Sequence, residues 1–297
     1  MKNQYVGDVG DYGKYSLLKA FSDIGIKVGI NWYLTENDGS NDGKFIQYLN
    51  KNDLRWYNPD VFDLLKKIAF KKNKNVQDIQ KSGLLKGAVY YDELLYSKET
   101  TVERVGRRSG WFDKSVDILK ETELIFMDPD NGLMEKNDPS ALKSLKYVMP
   151  DEVERYFTEG HNVVYYCQKG RRSLNEWMNY ITLMFDRIPS AKPAVLSFHK
   201  GTYRAYVFLI HEESYVKYRK IINGFLEKWR PVFNEDFTNK GNVAGTSAGE
   251  KVTIERSDGS IETVFRRNDG SYEFRNSKTP NTGHVFTVEQ ILQHLGV

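Results

Sequence analysis

Leu124-Ile125-Phe126-Met127-Asp128-Pro129-Asp130-Asn131-Gly132-Leu133 runs four apolar residues straight into an acidic turn. A short, continuous apolar run bounded by turn residues reads as a buried strand of a parallel sheet. Pro129 fixes its own φ and lacks an N–H, so Asp128 is held extended at the strand end. Asp130 and Asn131 follow on a tight turn that Gly132 completes. An aspartate presented there can accept a proton or hydrogen bond from a substrate amine, or ligate magnesium. Ordinary turn chemistry would also account for this segment.

Outward from this strand, apolar runs and amphipathic stretches alternate. Residues 15–24 read as a helix with Leu17, Leu18 and Phe21 on one face and Gly25 as its stop. Residues 28–34 and 88–91 read as strands, and residues 45–49 as the beginning of a helical turn. Residues 59–70, 111–119, 151–157, 174–185 and 215–229 carry helical spacing. Residues 162–167 form another strand, and 194–198 with 203–210 an antiparallel hairpin across Lys200-Gly201-Thr202. The expected fold is therefore α/β: a Rossmann-like, mainly parallel sheet ending in an antiparallel hairpin.

Composition changes near Asn239, where 241–249 is rich in Gly, Ser, Ala and Asn. Short alternating runs follow, joined by Asp258-Gly259 and Asp269-Gly270, both hairpin signals. A short helix, 288–295, closes the chain. The expected division is a catalytic domain over 1–238, a linker over 239–248 and a small β-rich appendage over 249–297.

Hydrophobic residues make up 40% of the 297 and charged residues 28%, which argues for a packed core and against wholesale disorder. Cys167 is the sole cysteine, which excludes an internal disulfide and a multi-cysteine zinc site. No apolar run approaches the roughly 20 residues needed to cross a bilayer. The expectation is a soluble, cytoplasmic protein with no membrane partner. Net charge is only +3, so any nucleic-acid contact depends on local clusters rather than on the sum.

Two further segments suit ligand handling. Tyr5-Val6-Gly7-Asp8-Val9-Gly10-Asp11-Tyr12-Gly13-Lys14-Tyr15 places three glycines and two aspartates ahead of a helix. Leu34-Thr35-Glu36-Asn37-Asp38-Gly39-Ser40-Asn41-Asp42-Gly43-Lys44 follows the first strand, where open α/β sheets bind ligands. Either loop can be a cofactor cradle, a cation site or a solvated connection. Lys169, Arg171 and Arg172 follow the strand ending at Cys167 and suit phosphate positioning on the same sheet edge.

These three segments, in this order, resemble the RlmJ-like family of Rossmann-fold, S-adenosylmethionine-dependent N6-adenine methyltransferases, which act on ribosomal RNA. In that family an Ala-Gly-Asn-x-x-Asp-x-x-Lys-His segment opens the chain, and residues 7–15 look like a variant sharing the glycine, the later aspartate and the lysine. The family's Tyr-Leu-Asp-x-x-Ala-Gly-x-Gly loop is similar in place to residues 33–40, which lack the leading Asp and the second glycine. The family's Asp-Pro-Pro-Tyr is matched in its first half by Asp128-Pro129-Asp130-Asn131. The Gly-Asp-x-Gly-Asp-Tyr and Asp-Pro-Asp-Asn-Gly segments also resemble an uncharacterised bacterial family to which no activity attaches.

The resemblance spans roughly residues 5–210. It implies methyl transfer from S-adenosylmethionine to nucleic acid or a nucleotide, with Asp128, Asp130, Asn131 and Lys14 as catalytic residues. Gly7, Asp8, Asp11, Glu36, Asp38 and Gly39 would hold the cofactor, with Asp92, after the second strand, on the ribose. Asn131 cannot stack on a flipped base as tyrosine does, and Asp130 adds a second negative charge. A competing reading is a nuclease or phosphohydrolase in which Asp8, Asp11, Glu36, Asp128 and Asp130 hold Mg2+ or Mn2+. A third is a non-catalytic module that binds nucleic acid or protein.

Overall fold

The computed structural model describes residues 1–40, 45–95, 100–230 and 232–238, and the strands at 251–255, 261–266, 272–276 and 279–286. The chain divides into two compact units, Met1–Asn239 and Lys240–Val297.

In the first unit β1 (Val28–Asn31), β2 (Val89–Tyr91) and β3 (Leu124–Met127) precede a small parallel ladder, β4 (Gly132–Leu133) with β5 (Tyr147–Val148). Then come β6 (Asn162–Gln168), β7 (Lys192–Phe198), β8 (Arg204–Ile210) and β9 (Phe233–Thr238). Seven of these strands form one sheet in the order β2-β1-β3-β6-β8-β7-β9. β1 pairs in parallel with β2 and β3, and β3 in parallel with β6. β8 is antiparallel to both β6 and β7, and β9 to β7. Five strands thus share one direction, and the sheet is the Rossmann-like, mostly parallel arrangement expected. The β7–β8 hairpin forms as its spacing foretold, with β8 inserted between β6 and β7.

Among the described residues the α-helices are α1 (Val9–Ser22), α2 (Pro59–Ala69), α3 (Val76–Lys81), α4 (Thr101–Leu119), α5 (Pro150–Thr158), α6 (Leu174–Arg187) and α7 (Glu212–Trp229). The two-residue period of the strands sorts them into layers. Leu124 and Phe126 of β3 share one core with Phe21 of α1, Phe62 of α2 and Ile222 of α7. Ile125 and Met127 share the other with Phe112 of α4, Val153 of α5 and Trp177 of α6. Each fully buried Phe or Leu contributes about 1.5–3 kcal/mol, so both faces of the sheet must be covered.

Several boundaries differ from the sequence reading. α1 starts at Val9, six residues earlier than expected, because Asp8 caps it by accepting from the Gly10 N–H at 2.8 Å. Two of the three glycines that suggested a loop, Gly10 and Gly13, are packing contacts inside the helix. A Cβ on Gly10 would lie 2.7 Å from the Arg204 guanidinium, and one on Gly13 3.1 Å from the Phe198 ring. α4 begins at Thr101 rather than near Trp111, closed by a capping box of Thr100 and Glu103. Its first half is largely exposed, so little apolar pattern marks it. The helical turn expected to begin over residues 45–49 is a single 3-10 turn at Gln47–Asn50.

The second unit carries a four-stranded antiparallel sheet, β10 (Lys251–Glu255), β11 (Ile261–Arg266), β12 (Tyr272–Asn276) and β13 (Thr279–Phe286), in that order. The first three match the alternating runs. β13 went unread because Pro280, Asn281 and Gly283 look like a turn. The expected linker, both hairpin turns and the helix at 288–295 lie outside the described residues.

Candidate functional site

Strand order reverses around β1: β2 lies on one side and β3 on the other. The crevice outside the carboxyl ends of such strands is where α/β sheets bind ligands. A cavity of about 430 Å³ opens there, within the range typical of small-molecule sites. Its walls come from the turn after β3 (Asp128, Pro129, Asp130, Asn131), from the start of α1 (Asp8, Gly10, Asp11, Lys14), and from Tyr166 and Gln168 of β6. Thr202, Arg204 and Tyr206 close it from the β8 side, with Met1, Tyr5 and Phe45 at its rim. Two of the three singled-out segments therefore meet in one pocket.

Lys14 is the hinge of the arrangement. Its Nζ donates to Asp128 Oδ2 at 2.7 Å and pairs with Asp11 Oδ1, also at 2.7 Å. Burial disfavours the charged amine, yet the two carboxylates hold its pKa well above the ordinary lysine value, so it stays a cation. Asp11 is anchored a second time, its Oδ2 accepting from the Gly7 N–H at 2.9 Å. Asp128 is 4% exposed, and burial pushes its carboxyl above the usual range despite Lys14. Its backbone N–H bonds to Asn31 O at 2.9 Å, which fixes it against β1. Among the described residues no donor reaches Oδ1 of Asp128, which belongs to the cavity wall.

Asp8 joins three elements. Besides capping α1, it accepts from the Phe45 N–H at 3.0 Å and from Arg204 Nη2 at 3.1 Å. Arg204 also donates to Lys200 O at 2.9 Å. Asp130 lies 2.8 Å from the Met1 amine and 3.4 Å from Lys2 Nζ. Burial opposes its charge, but those two amines outweigh burial and hold its carboxyl below the usual range.

The remaining expected site residues lie elsewhere. Gly7, at φ +94°, packs against Ala69 and bonds to Asp11 without lining the cavity. Glu36, Asp38 and Gly39 are exposed; Asp38 is bound by Lys2 Nζ at 2.5 Å. Residues 41–44 of that segment lie outside the described residues. Trp32, Tyr33 and Leu34 extend the buried run past β1, and Thr35 bonds to Met1 O at 2.9 Å. The loop is thereby led out of the crevice. Asp92 accepts from Gln77 and Gln80 of the α3 region, at 2.9 and 3.2 Å, and does not line the cavity.

Lys169, Arg171 and Arg172 also stand outside the cavity lining. Lys169 bonds to Arg172 O at 2.6 Å, and the Arg172 guanidinium sits 3.8 Å over the Tyr180 ring, a packing role. Cys167 is buried, and burial pushes its thiol up to about 12, which makes it inert as a nucleophile. His211 stacks on Phe157 and His199 contacts Ser197 and Asn234. Among the described residues no group of three or more His, Cys, Asp or Glu is placed to hold a metal.

Reasoning from the sequence passed over Arg204, Tyr166, Gln168 and Tyr206. The signal for Arg204 was present: a charged residue opening an otherwise apolar strand, Arg204-Ala205-Tyr206-Val207-Phe208, is buried only with a partner.

No helix among the described residues is long and apolar enough to cross a membrane. No model of a known protein family matches the chain, and no curated protein matches it. The class defined by the fold is that of α/β proteins with a mostly parallel, Rossmann-like sheet, here with a crevice at its switch point.

Proposed function

We propose that the chain is a methyltransferase-like enzyme that uses S-adenosylmethionine and acts on an amino group of a nucleic acid or nucleotide. The observation that carries this reading is the meeting of Lys14 and Asp128, 114 residues apart in sequence, at the end of β3. The residues fit such a donor in charge: Asp11 and Asp128 share one lysine, which leaves a negative excess for a sulfonium. Asp128, Asp130 and the start of α1 would hold it, and Glu36, Asp38, Gly39 and Asp92 would not. When bound, the donor supplies an electrophilic methyl group.

The chain's own part is orientation. Lys14 pins Oδ2 of Asp128, so Oδ1 is aimed by a fixed lever rather than by a free rotor. An acceptor N–H bonded to Oδ1 would have its nitrogen's electron density drawn towards the methyl group. The raised pKa of Asp128 suits brief acceptance of the proton released. Tyr5, Phe45 and Tyr166 provide aromatic faces for a planar acceptor.

Metal-dependent phosphoryl chemistry fits less well, because Lys14 sits between Asp11 and Asp128 where the shared ion would have to be. Calorimetry with S-adenosylhomocysteine, the demethylated product, tests the proposal. Binding by the parent chain and its loss in Asp128→Asn support it. No heat at millimolar ligand overturns it.

A further inference from the structure

A second cavity, of about 600 Å³, opens beside the carboxyl end of β2 and shares no lining residue with the crevice. Its size is that of a small-molecule site. One wall is α4, and the segment after β2 forms the other. Arg104, Arg107, Arg108 and Lys114 line it against a single carboxylate, Glu93.

The walls are fixed before any ligand arrives. Trp111 Nε1 donates to Glu93 O at 2.9 Å, the Tyr91 OH to Trp111 O at 2.8 Å, and the Leu95 N–H to Leu34 O at 2.8 Å. Arg108 is committed to Glu152 and two carbonyls, and Arg104 Nη1 donates to Ser140 O at 2.6 Å. Those two side chains are buried, whereas Arg107 and Lys114 are exposed. Lys114 reaches the Glu93 oxygens at 2.8 and 3.1 Å. A solvent-facing pair of that kind holds little free energy, so its carboxylate is readily exchanged for another anion.

Gly110 stands between the two exposed cations. Arg107, Gly110 and Lys114 follow at i, i+3 and i+7, the spacing of one helix face. Glycine is disfavoured inside a helix, where alanine would serve better unless the room is needed. Packing does not need it here: among the described residues a Cβ at Gly110 would meet nothing within 4 Å. The gap belongs to the cavity lining, with a cation one turn away on each side.

We propose that this cavity binds a phosphate ester of a small organic molecule. The phosphate lies over Gly110 between Arg107 and Lys114, and the apolar part of the ligand lies against Leu95, Trp111 and Leu145, which also line the cavity. The guanidinium fork takes two phosphate oxygens and the ammonium takes the third; a carboxylate has only two to offer. The bare glycine lets the anion come down to the helix surface. The inference does not rest on the methyl-transfer reading.

Calorimetry on the full chain with phenyl phosphate as probe tests it, with inorganic phosphate and phenol as controls. Phenyl phosphate should bind about tenfold more tightly than either control, because only it has both the charge and the apolar body. Gly110→Leu should fill the gap and weaken binding about tenfold, while raising the melting temperature because leucine favours the helix. Arg107→Ala, at an exposed position, gives a second readout and should weaken binding about fivefold. Asp128→Asn, in the other cavity, should leave it unchanged. No heat at millimolar phenyl phosphate, undiminished binding in Gly110→Leu or Arg107→Ala, or loss of binding in Asp128→Asn would overturn the proposal. So would either control binding as tightly as the ester.

Discussion

Two buried ion pairs stand on either side of β1, one built from Arg108 and Glu152, the other from Lys14 and Asp128. Arg108 uses every face of its guanidinium. Nε and Nη2 bond to the two Glu152 oxygens at 2.7 and 2.9 Å, and Nη1 and Nη2 to Ser144 O and Tyr147 O at 2.9 and 2.8 Å. Glu152 accepts in addition from the Tyr33 OH and the Met149 N–H. Lys14 instead serves two carboxylates on a cavity wall, and one Asp128 oxygen meets no donor among the described residues. The saturated pair ties α4, α5 and the segment before β5 together. The unsaturated pair has capacity left for something that is not part of the chain. Completeness of hydrogen bonding, more than burial or charge, separates a structural pair from a candidate site.

Mutations should break this contrast in a definite order. Arg108→Met should have the largest effect on stability, about 3–5 kcal/mol in urea denaturation, because it strands a buried glutamate and two carbonyls. Its ligand binding, measured on whatever fraction stays folded, should be close to that of the parent. Lys14→Met should cost about 3 kcal/mol and also abolish binding of S-adenosylhomocysteine. If both variants lose stability but neither loses binding, the two pairs are alike and the contrast fails.

Asp128→Asn sharpens the comparison. Its carboxylate is charged at a cost, since burial raises its pKa, and Lys14 keeps Asp11 as partner. The expected stability change is below about 1 kcal/mol, with ligand binding lost. A destabilisation of 3 kcal/mol or more would make Asp128 a structural residue like Glu152.

The two turn aspartates should also titrate oppositely. Asp130 is held below its unfolded value, so its contribution is present above the ordinary carboxylate range and lost as pH falls through it. Asp128 is held above its unfolded value, so its charged form is penalised and stability falls as pH rises through the raised pKa. Urea midpoints between pH 3 and 7 should lose part of their acid-side fall in Asp130→Asn and part of their upper-side fall in Asp128→Asn. Identical profiles for the two variants would contradict the assignment. The smallest effect belongs to the exposed Asp38: Asp38→Ala leaves the buried Lys2 amine with the Tyr5 OH and Asp130 as partners, and should change stability by no more than about 1 kcal/mol.

How much of this was legible before the coordinates depended on how local the signal was. β3 and its turn were readable because four apolar residues, a proline and a glycine encode strand, stop and bend within ten positions. The second ligand segment misled because its polar composition suits a cradle equally well on the surface, and only the buried run at residues 32–34 shows where the chain leaves the crevice. Glycines at 10 and 13 hid the first turns of α1, since their reason is Arg204 and Phe198, nearly 200 residues away. Lys14 was legible only as part of a motif; that it reaches Asp128 is a fact of packing.

Crystals soaked with S-adenosylhomocysteine and manganese together test the central assignment most directly. The account predicts nucleoside density in the crevice within hydrogen-bond reach of Asp128, with Lys14 still between Asp11 and Asp128. A manganese ion bridging Asp11 and Asp128, with Lys14 swung away, would contradict it.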